Sequence, residues 1–323
     1  MTTRRAFLLR ATQCCGASMM APHLLASAVS AASTSQRDAW QIGCYTRPWA
    51  ALDYRKALDA IAEAGFKYAG LMTTKSKSQL VISLETSPEE AQQVGREARQ
   101  RGLEIPSVYG GGFPVQKSIE AGVGGLRRII DACAAAGSKT LLLGGIGDDK
   151  LYEPYFKVVA ECCDYAAEKH VGLTIKPHGG MNATGPQLRK AVEQVARKNF
   201  TVWYDAGNIY FYSEGKLNPV DDAPSLDGLV TGWCIKDFTL KPKKDVALTP
   251  GTGMVDFQAV FARLRRGGFT AGPLVVETLT SAEPSRLVEE AKKARKFLEA
   301  LVDEAVHRAT SGIWKTPPPG GRR

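Results

Sequence analysis

Beyond residue 37 the chain alternates between two hydrophobic rhythms. Short runs rich in Val, Ile, Leu, Tyr and Trp fall at residues 41–45, 68–72, 103–108, 139–144, 171–176, 200–205, 230–236 and 273–277. Between them, apolar residues recur at three- and four-residue spacing, as on one face of a helix. Leu58, Ile61, Ala62 and Phe66 make one such stripe. Leu287, Ala291, Ala294, Leu298 and Leu301 make another. Each short run predicts a strand and each periodic segment a helix. Thr140-Leu-Leu-Leu143 has no polar face, which suits a strand covered on both sides.

Local signals mark where the helices start and stop. Ser87-Pro88-Glu89-Glu90 reads as an N-cap, a proline in the first turn, and acids where the helix dipole favours them. The segment 125–136 closes at Gly137. Gly65-Phe66, Gly102-Leu103, Gly172-Leu173 and Gly268-Phe269 each read as a helix stop followed by the first apolar strand residue. Eight strands at βα spacing predict a single (β/α)8 barrel over residues 38–308. A doubly wound sheet is the alternative. Gly110-Gly-Gly112 and Gly144-Gly145 do not form its glycine-rich phosphate fingerprint. Residues 309–323, rich in Pro, Gly and Arg, are expected to form a loose tail.

Residues 1–32 stand apart. Thr3-Arg4-Arg5-Ala6-Phe7-Leu8 precedes small and apolar residues that end in Ala26-Ser27-Ala28 and Val29-Ser30-Ala31. Charge, apolar stretch and cleavage site come in the order of an export signal. The arginine pair followed by Phe7 resembles the twin-arginine signal, which implies a protein exported folded, to the periplasm or beyond. Pro22 and His23 interrupt the stretch, which is too short to span roughly 30 Å of hydrocarbon, so no stable membrane anchor is expected. Cleavage near Ala31 removes three arginines and no acid, so the net charge of +9 falls to about +6. No long basic stripe with interleaved aromatics occurs, which argues against nucleic acid as a partner. Five cysteines remain beyond the signal, irregularly spaced: Cys44, Cys133, Cys162, Cys163 and Cys234. They are expected to be buried thiols rather than a disulfide framework.

In such barrels chemistry sits at the C-terminal ends of strands. The fifth run ends in Lys176-Pro177-His178, the sixth in Asp205-Ala-Gly-Asn208, the seventh in Cys234-Ile-Lys236-Asp237 and the eighth in Glu277. Ionisable residues therefore cluster where four neighbouring strands open. Each also has a plainer reading. Asp205 fits a helix cap, Glu277 a partner for a surface lysine, and Lys176 a side chain snorkelling to solvent. His178 fits a loop, and Cys234 a small buried hydrophobe.

These segments are similar to the xylose isomerase-like barrel family of sugar isomerases and epimerases. The likeness runs through Val202-Trp-Tyr-Asp-Ala-Gly-Asn-Ile-Tyr210, Trp233-Cys-Ile-Lys-Asp-Phe238, Pro250-Gly-Thr-Gly-Met-Val-Asp-Phe257 and Pro273-Leu-Val-Val-Glu277. The resemblance implies proton transfer beside a sugar carbonyl and one divalent metal, manganese, magnesium or a similar ion. It also implies four metal ligands at the barrel mouth: Glu, Asp, His and Glu. Asp205 and Glu277 match two of them. Lys176 stands where the first Glu belongs and Cys234 where the His belongs. Asn208 falls at a substrate-contacting position.

Two arrangements answer this substitution. His178, Asp205 and Glu277 could hold a metal, with Cys234 as a fourth donor. Alternatively the ammonium of Lys176 replaces the metal and neutralises the carboxylates. The expected activity is sugar isomerisation or epimerisation, with Glu277, Lys176 and Lys236 catalytic. Asn208, His178, Trp49 and Tyr45 are then expected to bind a small carbohydrate, the aromatics (with Phe113) by stacking. A lyase acting on an oxidised (keto) glycoside and a non-catalytic carbohydrate-binding barrel are the alternatives. A homo-oligomer is compatible with the sequence.

Overall fold

The computed structural model describes residues 38–280 and 283–310. The arginine pair, the cleavage site and most of the expected tail lie outside the described residues. Eight parallel strands form one sheet: β1 (Trp40–Tyr45), β2 (Tyr68–Gly70), β3 (Val108–Tyr109), β4 (Thr140–Leu143), β5 (Gly172–Ile175), β6 (Phe200–Tyr204), β7 (Val230–Ile235) and β8 (Gly272–Val276). The order around the sheet is β2-β1-β8-β7-β6-β5-β4-β3. Parallel bridges Tyr68–Glu104 and Leu71–Val108 bring β2 against β3, so the sheet curls into a single (β/α)8 barrel.

Helices α1 (Tyr54–Glu63), α2 (Pro88–Gln100), α3 (Ile119–Ala136), α4 (Tyr152–Glu168), α5 (Gly185–Val195), α6 (Ala206–Tyr212), α7 (Pro219–Asp222), α8 (Phe257–Arg266) and α9 (Pro284–Thr310) connect and follow the strands. The last runs two residues past the expected barrel boundary at 308. Among the described residues no helix is long and apolar enough to cross a membrane.

Two local departures from the sequence expectation have simple causes. The run 103–108 forms only a two-residue strand, Val108–Tyr109. Pro106 interrupts it, because proline cannot donate to a ladder. Gly172 is the first residue of β5 rather than a helix stop, and the turn before it is made by His170 at φ 57°. The capping box at Ser87 and Glu90 and the left-handed Gly137 at φ 86° form where the sequence places them. The five cysteines of the barrel are free and buried.

Side-chain alternation divides the interior in two. Tyr45, Met72, Leu142, Trp203, Cys234 and Val275 fill the inside of the barrel. Their neighbours along the strands, such as Leu141, Tyr204, Trp233 and Val276, pack outward under the helices. Gly232 is required by this packing, since a Cβ there would sit 2.3 Å from the Trp203 ring.

Candidate functional site

Lys176, Asp205, Lys236 and Glu277 are each the first residue past the end of a strand, β5, β6, β7 and β8 in turn. A strand's period of two sets their direction. Trp203, Cys234 and Val275 face the barrel interior, and Asp205, Lys236 and Glu277 follow each of them two residues later. The four side chains meet above the packed layer. Lys176 Nζ lies 3.4 Å from Asp205 Oδ2 and in tight contact with Glu277 Oε2. Lys236 Nζ lies 3.3 Å from Asp205 Oδ2 and 2.8 Å from Glu277 Oε1. Each ammonium thus bridges both carboxylates. None of the four side chains is more than 2 % exposed.

A third cation completes the cluster. Arg47 stands in the turn Arg47–Trp49 just after β1, and its Nη1 lies 2.7 Å from Glu277 Oε1. Its side chain is 40 % exposed, so it is the member of the cluster that reaches solvent. Arg47 is a site residue that sequence reasoning missed. Its signal was its position directly after the first strand, facing the end of the last.

Charge and burial set the protonation of the group. Burial alone would raise the Glu277 carboxyl, but Lys176, Lys236 and Arg47 together hold it well below the usual carboxylate range. Burial pushes Asp205 up, against the pull of Lys236 and Lys176, so it is the more readily protonated of the two. Burial would lower Lys176, yet the neighbouring Glu277 and Asp205 carboxylates raise it above an ordinary lysine. Lys176 therefore stays an ammonium at neutral pH and cannot act as a base.

Asn208, in the first turn of α6, ties the cluster together. Its main-chain N–H donates to Asp205 Oδ1 at 2.9 Å, as expected when Asp205 caps that helix. Its side-chain amide donates to the Pro177 carbonyl at 2.6 Å and accepts from Lys236 Nζ at 3.1 Å. With both amide ends engaged and 2 % exposure, it positions the lysine rather than presenting itself to a ligand.

The other expected contacts fall elsewhere. Tyr45 is fully buried in the layer that fills the barrel and donates to Ser107 Oγ at 3.0 Å. Trp49 is 3 % exposed within the core beneath the helices. Phe113 stacks on Tyr155 with centroids 4.7 Å apart. None of the three is a platform for a sugar, because their apolar area is already used in packing. Tyr109 and Tyr212 flank His178 instead, with ring centroids 6.5 and 6.1 Å from it.

His178 itself lies beyond the end of β5. Pro177 ends the ladder, and the chain turns through Gly179 and Gly180, with the His178 N–H donating to Asn182 O at 2.8 Å. The residue is exposed at the rim. Surrounding protein and then the Lys176 charge lower its imidazole to about 4, so it is neutral at pH 7.

Asp237 has a structural task. It accepts main-chain N–H bonds from Gly251 at 3.0 Å, Gly253 at 2.7 Å and Val255 at 3.1 Å, which folds the 250–257 loop back onto the barrel. A Cβ on Gly253 would meet Asp237 Oδ1 at 2.4 Å, which explains that glycine.

Asp205, Cys234 and Glu277 offer ligand atoms within 4.8 Å of one another, the one such group among the described residues. His178 is not part of it. The arrangement is compact enough for a metal, but the donors do not fit one. Both carboxylates already carry two ammonium contacts, and Glu277 a guanidinium as well. Burial also pushes the Cys234 thiol well above its ordinary range, away from the thiolate that metal binding needs.

The chain belongs to the xylose isomerase-like TIM barrel family, whose sequence profile matches residues 58–301. Among solved structures, the chain is similar to a xylose isomerase domain protein from Planctomyces limnophilus. Identity is 18 %, coverage 79 % of this chain and 94 % of that one, and the TM-score 0.59. It is also similar to D-psicose 3-epimerase from Clostridium cellulolyticum H10, at 14 % identity, 81 % and 99 % coverage and a TM-score of 0.65. An L-ribulose 3-epimerase matches at 16 % identity, 86 % and 99 % coverage and a TM-score of 0.63. No curated protein matches the chain in sequence.

Proposed function

We propose that the protein is a sugar isomerase or epimerase that moves a proton on the carbon next to a carbonyl. The observation that carries this reading is a buried, ionised Glu277 held between two ammonium groups at the barrel mouth. Glu277 takes the C–H proton. The C–H electron pair becomes the new C=C bond, and the carbonyl π pair moves onto oxygen. Lys176 and Lys236 hold that oxygen as its charge develops, the electrostatic role on which such reactions chiefly depend. Negative charge thus passes from the carboxylate to the substrate while both ammoniums stay beside it. Glu277, acidic when paired in the free protein, becomes a better base once the ammoniums turn to the substrate oxygen. For isomerisation the proton returns to the former carbonyl carbon, while the hydroxyl proton of the enediol passes to the other oxygen. For epimerisation Glu277 keeps its proton, and the same carbon is reprotonated on its opposite face, by Asp205 or by water.

For the sugar to reach Glu277, Arg47 must release it, and the exposed guanidinium is free to swing outward. Neutral His178 and the tyrosines at the rim are then placed to meet sugar hydroxyls. The names of the similar structures support free ketoses as the first substrates to try. Deuterium uptake from D2O at the carbon beside the carbonyl, followed by NMR over free aldoses and ketoses, tests the reading. Glu277→Gln should lower the exchange rate by about 10²–10⁴. Exchange undiminished in that variant would remove Glu277 from the chemistry.

The arginine pair supports export of the folded protein to the periplasm or beyond. Replacing Arg4 and Arg5 with lysine should leave the precursor inside the cell, as fractionation and immunoblotting would show. Unchanged export would sink this assignment.

A further inference from the structure

Three potential metal donors stand within 4.8 Å of one another, yet the two carboxylates among them are saturated with ammonium contacts. We propose that Lys176 and Lys236 are a tethered replacement for a divalent cation. The pair keeps metal out of the site and itself binds the oxygens of a hydroxy-carbonyl substrate. This deepens the proposed function and rests on it only for the identity of the substrate.

Charge is the first argument. Two ammoniums between Asp205 and Glu277 bring the same formal charge that one divalent ion would bring to the same pair. Any metal arriving there would join two lysines and Arg47, all within contact distance of its ligands. Repulsion among cations is least screened where solvent is excluded.

Connectivity is the second. An ammonium held at one carboxylate would be an ordinary ion pair. Here each ammonium touches both carboxylates, as a central ion does. Asn208 fixes Lys236 in that place from the third side. The remaining donor, Cys234, is fully buried in the layer that fills the barrel, beneath the carboxylates.

Substrate chemistry follows from the shape. Two N–H donors side by side suit two neighbouring oxygens, a carbonyl and the hydroxyl beside it. They favour the transition state because their fixed charge meets an oxygen that becomes anionic. A tethered pair cannot dissociate, so activity should not respond to chelators or added metal.

The test is a titration of the full-length protein, freed of metal by EDTA and dialysis, with Mn(II). Bound ion is read by electron paramagnetic resonance and isothermal calorimetry. The wild type should take up no stoichiometric Mn(II), and Asp205→Asn should behave identically. One Mn(II) per chain in the wild type, lost in Asp205→Asn, would overturn the proposal. The double variant Lys176→Glu with Lys236→Gln removes both ammoniums and restores a carboxylate. It should bind Mn(II) at least about tenfold more tightly than the wild type. If it is folded by circular dichroism and shows no gain, the ammoniums are not what excludes the metal, and the proposal fails. Should that variant not fold, the wild-type and Asp205→Asn titrations decide alone. Deuterium exchange on a responsive sugar should be unchanged in EDTA, and exchange lost in EDTA and restored by Mn(II) would also overturn it. A wild type that exchanges no sugar proton would count against the isomerase reading and leave the metal titration standing.

Discussion

The two halves of the barrel end their strands differently. Strands β5 to β8 are followed by Lys176, Asp205, Lys236 and Glu277, all charged and all buried. Strands β1 to β4 are followed by Thr46, Leu71, Gly110 and Gly144, none of them charged. The architecture is the same, but the facing differs. Tyr45 and Met72 point inward, so Thr46 and Leu71 beside them point out, whereas Asp205, Lys236 and Glu277 continue the inward set of Trp203, Cys234 and Val275. The charged half supplies the chemistry. The other half supplies room and, from the turn after β1, the one cation of the cluster that reaches solvent, Arg47. A Cβ at Gly144 would stand 2.9 Å from the Tyr109 hydroxyl and 3.4 Å from His178 Nδ1, so the glycine leaves the rim open for those rings. A buried charge needs partners close by, and adjacent strands are the surest way to provide them.

The contrast can be broken most severely by removing one charge from the charged half. Lys176→Met leaves Glu277 and Asp205 buried together with one ammonium fewer. Loss of a single partner from such a cluster costs about 3–5 kcal/mol. Urea unfolding should show a drop of that size, and a change under about 1 kcal/mol would mean that the carboxylates are hydrated rather than buried.

A smaller effect is expected from the uncharged half. Gly110→Ala places a Cβ 2.3 Å from Ile129 Cγ2. Overpacking of this kind costs about 1–3 kcal/mol. Stability should fall by that amount while deuterium exchange per folded molecule stays as in the wild type. A loss of exchange without a loss of stability would show that this half shares in the chemistry.

His178, between the halves, should give the smallest effect. Its folded-state imidazole lies lower than in the unfolded chain, so its stabilising share is full above the ordinary histidine range near about 6.5. That share is lost as pH falls toward about 4. NMR should show its ring titrating near 4, and His178→Ala should flatten the loss of stability over that window only slightly, because the ring is partly exposed. A ring that titrates at about 6.5 would mean that neither burial nor the Lys176 charge acts on it.

The sequence by itself determined the barrel and the charged quartet after its last four strands. Eight apolar runs at βα spacing fix the architecture, and a residue just past a strand end must lie at the mouth. Lys176, Asp205, Lys236 and Glu277 were legible for that reason, as was the replacement of two expected ligands by Lys176 and Cys234. Only the tertiary structure decided which charges touch. Arg47 meets Glu277 across 230 residues because β1 pairs with β8, and no local pattern records that pairing. Tyr45 is spent on filling the barrel, which depends on the volume left by Met72, Leu142 and Trp203 around it. His178 leaves the donor cluster because Pro177 ends the strand one residue early and two left-handed glycines turn the chain away. Periodicity in a sequence states which side of an element a residue takes. Contact between elements depends on how the sheet closes and on what volume remains inside it, and those are properties of the folded chain.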